Sequence, residues 1–331
     1  MIIHLKKEAT DQIAAEISEA HEGVTLDRNG VKHIIISSKV KTLDTKYEAV
    51  VDEVFVFEND MQLSSKAYLS QKGIQVGDIT IGGDSRNTVI VAGPCSVESK
   101  EQITVTAKLM KTLGIRFLRG GCYKPRTSPY TFQGLGREGL KLLAEVREEY
   151  QLMIVTEIRD TTHADEVLEY TDIAQIGAKS MYDHGILKIC AKSDKPILLK
   201  RGFGTTVQEF LQAAEFILSG GNEKVILCER GIRTFETKTR FTLDLCGVAY
   251  LKEYSNLPIF LDPSHAMGYA YGVADLTRAC MAMGVDGLII ETHPTPKLAK
   301  SDASQQLDHP TFTQLHQSLT GLAKTIGKTL I

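Results

Sequence analysis

The chain has 331 residues, 43% of them hydrophobic and 24% charged, and a formal net charge of −3. Those proportions exclude disordered, collagenous and low-complexity classes. The lack of a basic excess argues against a nucleic-acid binder. No apolar run approaches the roughly 18–20 residues of a membrane span, and the opening Met1–Gln12 turns polar too soon for a signal peptide. The expectation is a cytoplasmic protein without membrane or nucleic-acid partners. Six cysteines without a C-x-x-C pair read as reduced thiols.

Length alone suggests about two domains, and texture changes along the chain. All nine prolines lie at Pro94 or later. Before that point, Met1–Leu5 predicts a short strand, and Thr10–Ala20 predicts a helix with Ile13 and Ile17 on one face. Residues 23–26 offer a weak strand, and Val31–Ser37 is a β-branched run. Thr42–Ala49 reads as a weak helix, and Val51–Phe57 alternates like a half-buried strand. This order predicts a ferredoxin-like α+β domain over residues 1–65. Asn59–Gln71 reads as linker, and Gly73–Gly83 as a small hairpin opening the second domain, residues 66–331.

From residue 88 eight short apolar runs recur: Val89–Ala92, Arg116–Leu118, Met153–Thr156, Ile173–Ile176, Ile197–Leu199, Val225–Cys228, Ile259–Leu261 and Leu288–Ile290. Helical segments separate them. Thr206 and Glu209 form a capping box, followed by Phe210, Leu211, Ala214 and Ile217 on one face, and Gly220–Gly221 closes that helix. Eight strand–helix units over this length predict a (β/α)₈ TIM barrel. The rival is a doubly wound open sheet, but no G-x-G-x-x-G follows the first strand.

In such a barrel the site lies at the C-terminal strand ends. Two constellations gather there. Arg119, Lys124, Arg126, Lys179, Lys200, Arg201, Arg230 and Arg233 would share one rim. Like charges crowded at one mouth repel unless an anion neutralises them, and guanidinium forks suit phosphate and carboxylate. Small multiply anionic substrates are therefore expected. The bland reading is a set of solvated loop cations. Cys95, His265 and Glu291 end the first, seventh and eighth runs, and Asp302 lies in the loop beyond. A thiol, an imidazole and two carboxylates suit a divalent ion such as Mn²⁺, Fe²⁺, Co²⁺ or Zn²⁺. The bland reading is a buried cysteine used for packing.

The segments GPCSVES, RGGCYKPRTSPYTFQGLG, LLKRG, ILCERGIRTFE, DPSHAMG and ETHP followed by SD resemble the 3-deoxy-D-arabino-heptulosonate 7-phosphate (DAHP) synthases. The similarity is to the barrel subfamily that carries an N-terminal ferredoxin-like regulatory domain. GPCS is shared with the 3-deoxy-octulosonate 8-phosphate synthases, whereas KPRTSPYTFQGLG resembles the erythrose-phosphate users. The resemblance implies condensation of phosphoenolpyruvate with D-erythrose 4-phosphate, the entry to the shikimate route. It implies Cys95, His265, Glu291 and Asp302 as metal ligands. Arg119, Lys124 and Lys200 would hold the carboxylate of phosphoenolpyruvate, and Lys179, Lys200 and Arg230 its phosphate, with Glu157 nearby. Arg126 and Thr127 would hold the erythrose phosphate. It also implies a homotetramer inhibited by an aromatic amino acid.

Several positions depart from the family pattern. Lys179 stands where arginine is usual, Ser180-Met181-Tyr182 replaces an asparagine-containing stretch, Tyr269–Gly272 lacks the usual basic residues, and Cys122 replaces a small apolar residue. An altered acceptor such as arabinose 5-phosphate, or a weakly active sensing paralogue, stays open on these grounds. His163, His184, His309 and His316 read as structural or solvated, His293 as a loop-fixing residue, and Cys190, Cys246 and Cys280 as core.

Overall fold

The computed structural model describes residues 1–124 and 128–331. Its first unit runs β1 (Ile2–Leu5), α1 (Asp11–Ala20), β2 (Val24–Arg28), β3 (Val31–Ile35), a 3₁₀ turn at Thr45–Val50 and β4 (Val51–Phe55). The strands form one antiparallel sheet in the order β2-β3-β1-β4. The weak strand is present as β2, and the weak helix contracts to the 3₁₀ turn. Alternation in β1 decides which residues meet which layer. Ile3 and Leu5 join Ala14, Ile17 and Ile34 beneath α1, while Ile2 enters the cluster shared with the barrel.

The second unit opens with the hairpin β5 (Gly73–Val76) and β6 (Ile79–Gly82). The barrel strands follow as β7 (Asn87–Gly93), β8 (Phe117–Arg119), β9 (Met153–Ile158), β10 (Ile173–Ile176), β11 (Ile197–Lys200), β12 (Val225–Glu229), β13 (Ile259–Leu261) and β14 (Gly287–Glu291). All eight are parallel in sequence order. β14 pairs β7, with Gly287 opposite Val89 and Glu291 opposite Gly93, so the sheet closes into a TIM barrel. The C-terminal β15 (Thr329–Leu330) adds to the start of β7.

The helices are α2 (Lys100–Leu113), α3 (Arg137–Tyr150), α4 (Ala164–Tyr170), α5 (His184–Ala191), α6 (Val207–Ser219), α7 (Leu245–Tyr254), α8 (Pro263–Met267), α9 (Ala270–Ala282) and α10 (His309–Thr325). Local signals set their ends. The Ser99 hydroxyl caps α2, and Gly114 stops it at φ +75°, a left-handed conformation that glycine adopts freely. The Thr206–Glu209 capping box starts α6. No described helix is long and apolar enough to cross a membrane.

Strand alternation divides the barrel's core. Val89, Val91, Phe117, Met153, Val155, Leu198, Ile226, Cys228, Phe260 and Ile289 share one cluster with Ile74, Val76, Ile79 and Ile81 of the hairpin, which therefore plugs the N-terminal end. Alternate residues such as Ile90, Leu118, Ile154 and Leu227 pack outward against Met110, Leu143, Phe210 and Val248 of the helices. Burying each such side chain contributes roughly 1.5–3 kcal/mol. Cys246 is exposed on α7, which corrects the expectation that it packs in the core.

The predicted linker is stitched to the barrel. Glu215 of α6 accepts the backbone N–H groups of Gln62 (2.8 Å), Leu63 (3.1 Å) and Ser64 (2.8 Å), and the Ser64 hydroxyl (2.6 Å). Asn256 donates to the carbonyls of Leu63 and Ser65. Glu215→Ala strands several of those donors. Each unsatisfied buried donor costs about 1–3 kcal/mol, so chemical denaturation should show a loss of about 2–4 kcal/mol, and an unchanged unfolding midpoint would contradict this role for Glu215.

Candidate active site

The end of β7 must turn sharply into Pro94–Cys95. Gly93 does so at φ +149°, where a Cβ would lie 2.1 Å from the Arg119 carbonyl oxygen. Cys95 is thereby placed beside Glu291 at the end of β14. Its Sγ lies 3.4 Å from Asp302 Oδ2. His265 comes from α8, whose first turn is capped by Asp262 Oδ1 accepting the His265 N–H at 2.9 Å. His265 Nε2 stands 3.5 Å from Glu291 Oε1 and 3.8 Å from Asp302 Oδ2. Asp302 sits at φ +46°, a left-handed conformation that aspartate tolerates better than most residues.

The loop carrying Asp302 is locked by buried amides. Gln306 Oε1 accepts the Cys95 N–H at 3.0 Å, and Gln306 Nε2 donates to Ser301 O at 2.8 Å. Gln305 Nε2 donates to Glu291 Oε2 at 2.6 Å, while its Oε1 accepts from Arg240 at 2.7 Å. His293 accepts the Thr295 N–H at Nδ1, which fixes the turn after β14.

The residues present fit a divalent ion. Cys95, Glu291 and Asp302 offer ligand atoms within 4.8 Å of one another; His265 falls outside that mutual spacing but its Nε2 adjoins Glu291 and Asp302 at the distances above. Ligands about 2.1 Å from a tetrahedral ion stand roughly 3.4 Å apart, which the Cys95–Asp302 pair matches at 3.4 Å and the His265–Glu291 pair at 3.5 Å. Burial, followed by the negative charge of Glu291, pushes the Cys95 thiol up to about 12. A bound cation would reverse that preference, since coordination deprotonates a thiol. Asp262 Oδ2 lies 2.7 Å from His265 Nδ1. The approach is an ion-pair contact without hydrogen-bond alignment, and it occupies the Nδ1 side of the ring while Nε2 faces Glu291 and Asp302.

Beside the donor set lies a cavity of about 120 Å³, lined by Lys124, Glu157, Lys179, Lys200, Arg230, His265 and Asp302 among others. Lys124 joins the two halves, with Nζ 3.0 Å from Cys95 O and 3.3 Å from Cys95 Sγ. Lys200 Nζ donates to Asp262 Oδ2 at 2.5 Å. The Arg230 guanidinium lies 5.0 Å from the Phe203 ring centroid and 4.2 Å from that of Phe241, a cation–π contact on both. Glu157 accepts from Gln175 at 3.1 Å. A Cβ at Gly177 would come within 2.1 Å of Glu157 Oε1, so only glycine leaves that carboxylate its place.

Not every predicted cation faces this cavity. Arg201 is sequestered, bonded to Glu229 at 2.8 Å, Asp244 at 2.9 Å and the Thr205 carbonyl. It stiffens the loop after β11, which corrects its placement on the rim. Arg233 is exposed and outside the cavity lining. Arg119 donates to Glu291 Oε1 at 2.6 Å and to Pro94 O at 2.8 Å, beneath the donor set. Arg126 and Thr127 lie outside the described residues. The sequence reading missed Arg240, Phe203 and Gln175, which line the cavity, and the partners Asp262 and Gln305. Asp262 was legible inside DPSH as a cap, but no spacing rule links it to Lys200.

The profile of the DAHP synthetase I family matches residues 58–327. A phospho-2-dehydro-3-deoxyheptonate aldolase of Thermotoga maritima is 42% identical over 315 residues, 95% of this chain and 91% of that protein. A 2-dehydro-3-deoxyphosphooctonate aldolase of Francisella tularensis subsp. holarctica is 30% identical over 269 residues, 75% of this chain and 96% of that one. The crystal structure of the DAHP synthase of Thermotoga maritima superposes with a TM-score of 0.81 at 40% identity, covering 100% of this chain and 99% of that one. A truncated form of the 3-deoxy-D-arabino-heptulosonate 7-phosphate synthase from that organism gives 0.76 at 42% identity, over 81% of this chain and 98% of its own. With a matching family profile over most of its length and a relative 42% identical across 95% of it, the chain belongs to the DAHP synthetase I family.

Proposed function

We propose that this protein condenses phosphoenolpyruvate with D-erythrose 4-phosphate to DAHP and inorganic phosphate, using a divalent first-row ion held by Cys95, His265, Glu291 and Asp302. The observation that carries the reading is the juxtaposition at Lys124. One ammonium lines the cation-rich cavity and also lies 3.3 Å from the thiol of the donor set. The extent of identity to the Thermotoga maritima aldolase supports erythrose 4-phosphate as acceptor over the pentose phosphate.

When bound, the ion supplies Lewis acidity toward an aldehyde oxygen. The chain's own residues do the rest. Lys179, Lys200 and Arg230 hold the phosphate of phosphoenolpyruvate, and the stacked Phe203 and Phe241 fix the Arg230 plane. Lys200, Lys124 and the remaining N–H groups of Arg119 hold its carboxylate. C3 of phosphoenolpyruvate attacks the aldehyde carbon of the acceptor, and Lys124 Nζ donates a proton to the oxygen that becomes a hydroxyl. Glu157 and Gln175 orient the water that adds at C2. Phosphate then leaves by cleavage of its bond to C2. Arg126 and Thr127 are assigned the acceptor phosphate on the motif alone.

The N-terminal sheet is proposed to sense an aromatic amino acid within a homotetramer. Tyr68 bridges it to the barrel side, with its hydroxyl 2.9 Å from His4 Nε2, 3.1 Å from His33 Nδ1 and 3.1 Å from Arg28.

Phosphate release from phosphoenolpyruvate should require erythrose 4-phosphate, stop on chelation and return with Mn²⁺ or Co²⁺. Chelator-resistant turnover, or a preference for arabinose 5-phosphate in an acceptor panel, would overturn the reading. Lys124→Met should lower kcat by about 10²–10⁴-fold, the range for a lost general acid, and initial-rate kinetics measure this. Tyrosine or phenylalanine should inhibit the intact chain. Removing residues 1–57, upstream of the Glu215 stitching, should retain turnover and abolish that inhibition.

A further inference from the structure

We propose that Asp262 couples the two halves of the site, so that phosphoenolpyruvate and the divalent ion each tighten the other's binding. This rests on the functional reading above, in which Lys200 meets the substrate anion and His265 the ion.

Asp262 follows β13 and is fully buried. Its two oxygens have separate tasks. Oδ1 accepts the His265 backbone N–H at 2.9 Å and caps α8. That bond fixes the carboxylate's orientation, and capping needs nothing from the second oxygen. Oδ2 is shared between Lys200 Nζ at 2.5 Å and His265 Nδ1 at 2.7 Å. Lys200 and His265 both line the cavity. One oxygen therefore stands behind a group from β11 that faces the anion and a group from α8 whose other nitrogen faces the donor set.

The sign of the coupling follows from this sharing. A phosphate or carboxylate that engages Lys200 draws the ammonium's charge away from Oδ2. The carboxylate's charge then bears more fully on the His265 ring at 2.7 Å, and Nε2 becomes the stronger donor to a cation. In the other direction, a cation on Nε2 makes the ring more positive and draws Oδ2 toward it, which frees Lys200 for the anion. The effect is reciprocal by linkage. A substrate anion and a cation also attract directly through space, so the proposal concerns the share carried by Asp262.

The test titrates Co²⁺ into chelator-stripped full-length protein against a chromophoric chelator. It is run with and without saturating phosphoenolpyruvate, and without acceptor so that no turnover occurs. In the wild type, phosphoenolpyruvate should raise Co²⁺ affinity by at least about five-fold. Asp262→Asn should weaken Co²⁺ binding by about 10–100-fold and reduce the phosphoenolpyruvate effect to below about two-fold. Asp262→Ser keeps a capping hydroxyl without a carboxylate, and it replaces the asparagine variant if that one fails to fold. A wild type indifferent to phosphoenolpyruvate overturns the proposal, as does a variant that keeps the full shift. The near-ultraviolet Co²⁺–thiolate band reports the metal reading separately. Its absence in the wild type, or its survival in Cys95→Ser, sinks that reading, whereas its presence with an unaltered shift in Asp262→Asn sinks only the coupling.

Discussion

β14 lies parallel to β7 with Glu291 opposite Gly93, and every distance in the donor set depends on that pairing. It joins the two ends of the barrel sequence, so Cys95 meets residues that enter the chain almost last. The pairing also explains the glycine at position 93. A strand that turns beside the Arg119 carbonyl has no room for a side chain, and the turn places Cys95 over the barrel mouth. The hairpin β5–β6 fills the opposite end, so the interior is a packed core and the chemistry is confined to one face.

The charges at that face fall into two populations. Arg201 is neutralised by two carboxylates and shapes a loop. Arg119 is neutralised by Glu291 at 2.6 Å. Lys124, Lys179, Lys200, Arg230 and Arg240 line the cavity, where anions can meet them, with Lys200 also paired to Asp262 and Arg240 to Asp302. A buried cation without a counterion is costly, so the acids lie behind the wall. Asp262 holds Lys200, and Asp302 pairs with Arg240 at 3.4 Å, with Gln305 bonded to both Arg240 and Glu291. The small net charge of the chain is the sum of these opposed layers.

The N-terminal sheet is tied to the barrel by polar contacts on a buried apolar patch. Ile2, Leu26, Phe57, Leu63 and Tyr68 share the barrel's outer cluster, Arg28 pairs with Glu223 at 2.6 Å, and Glu215 collects the backbone of residues 62–64. The junction thus runs through α6, the helix that follows the Lys200–Arg201 loop.

Periodicity and punctuation made the architecture legible. Eight apolar runs became eight strands because a buried parallel strand is apolar on both faces, and that texture survives in one dimension. The cap at Thr206 was readable because capping is a contact over three residues. The motif ends also supplied the residue types of the donor set and most of the cavity wall. Tertiary structure alone decided which cations were usable. Arg201 and Lys200 are neighbours in sequence, yet strand alternation and distant carboxylates turn one into a loop brace and leave the other at the cavity. It also decided the partners of the site, since Asp262 with Lys200, Gln305 with Glu291 and Arg240, and Phe203 with Phe241 are pairings across separate loops. Sequence records which side chains exist and their local rhythm. Long-range electrostatic partnership is set only when barrel closure brings those loops to one face.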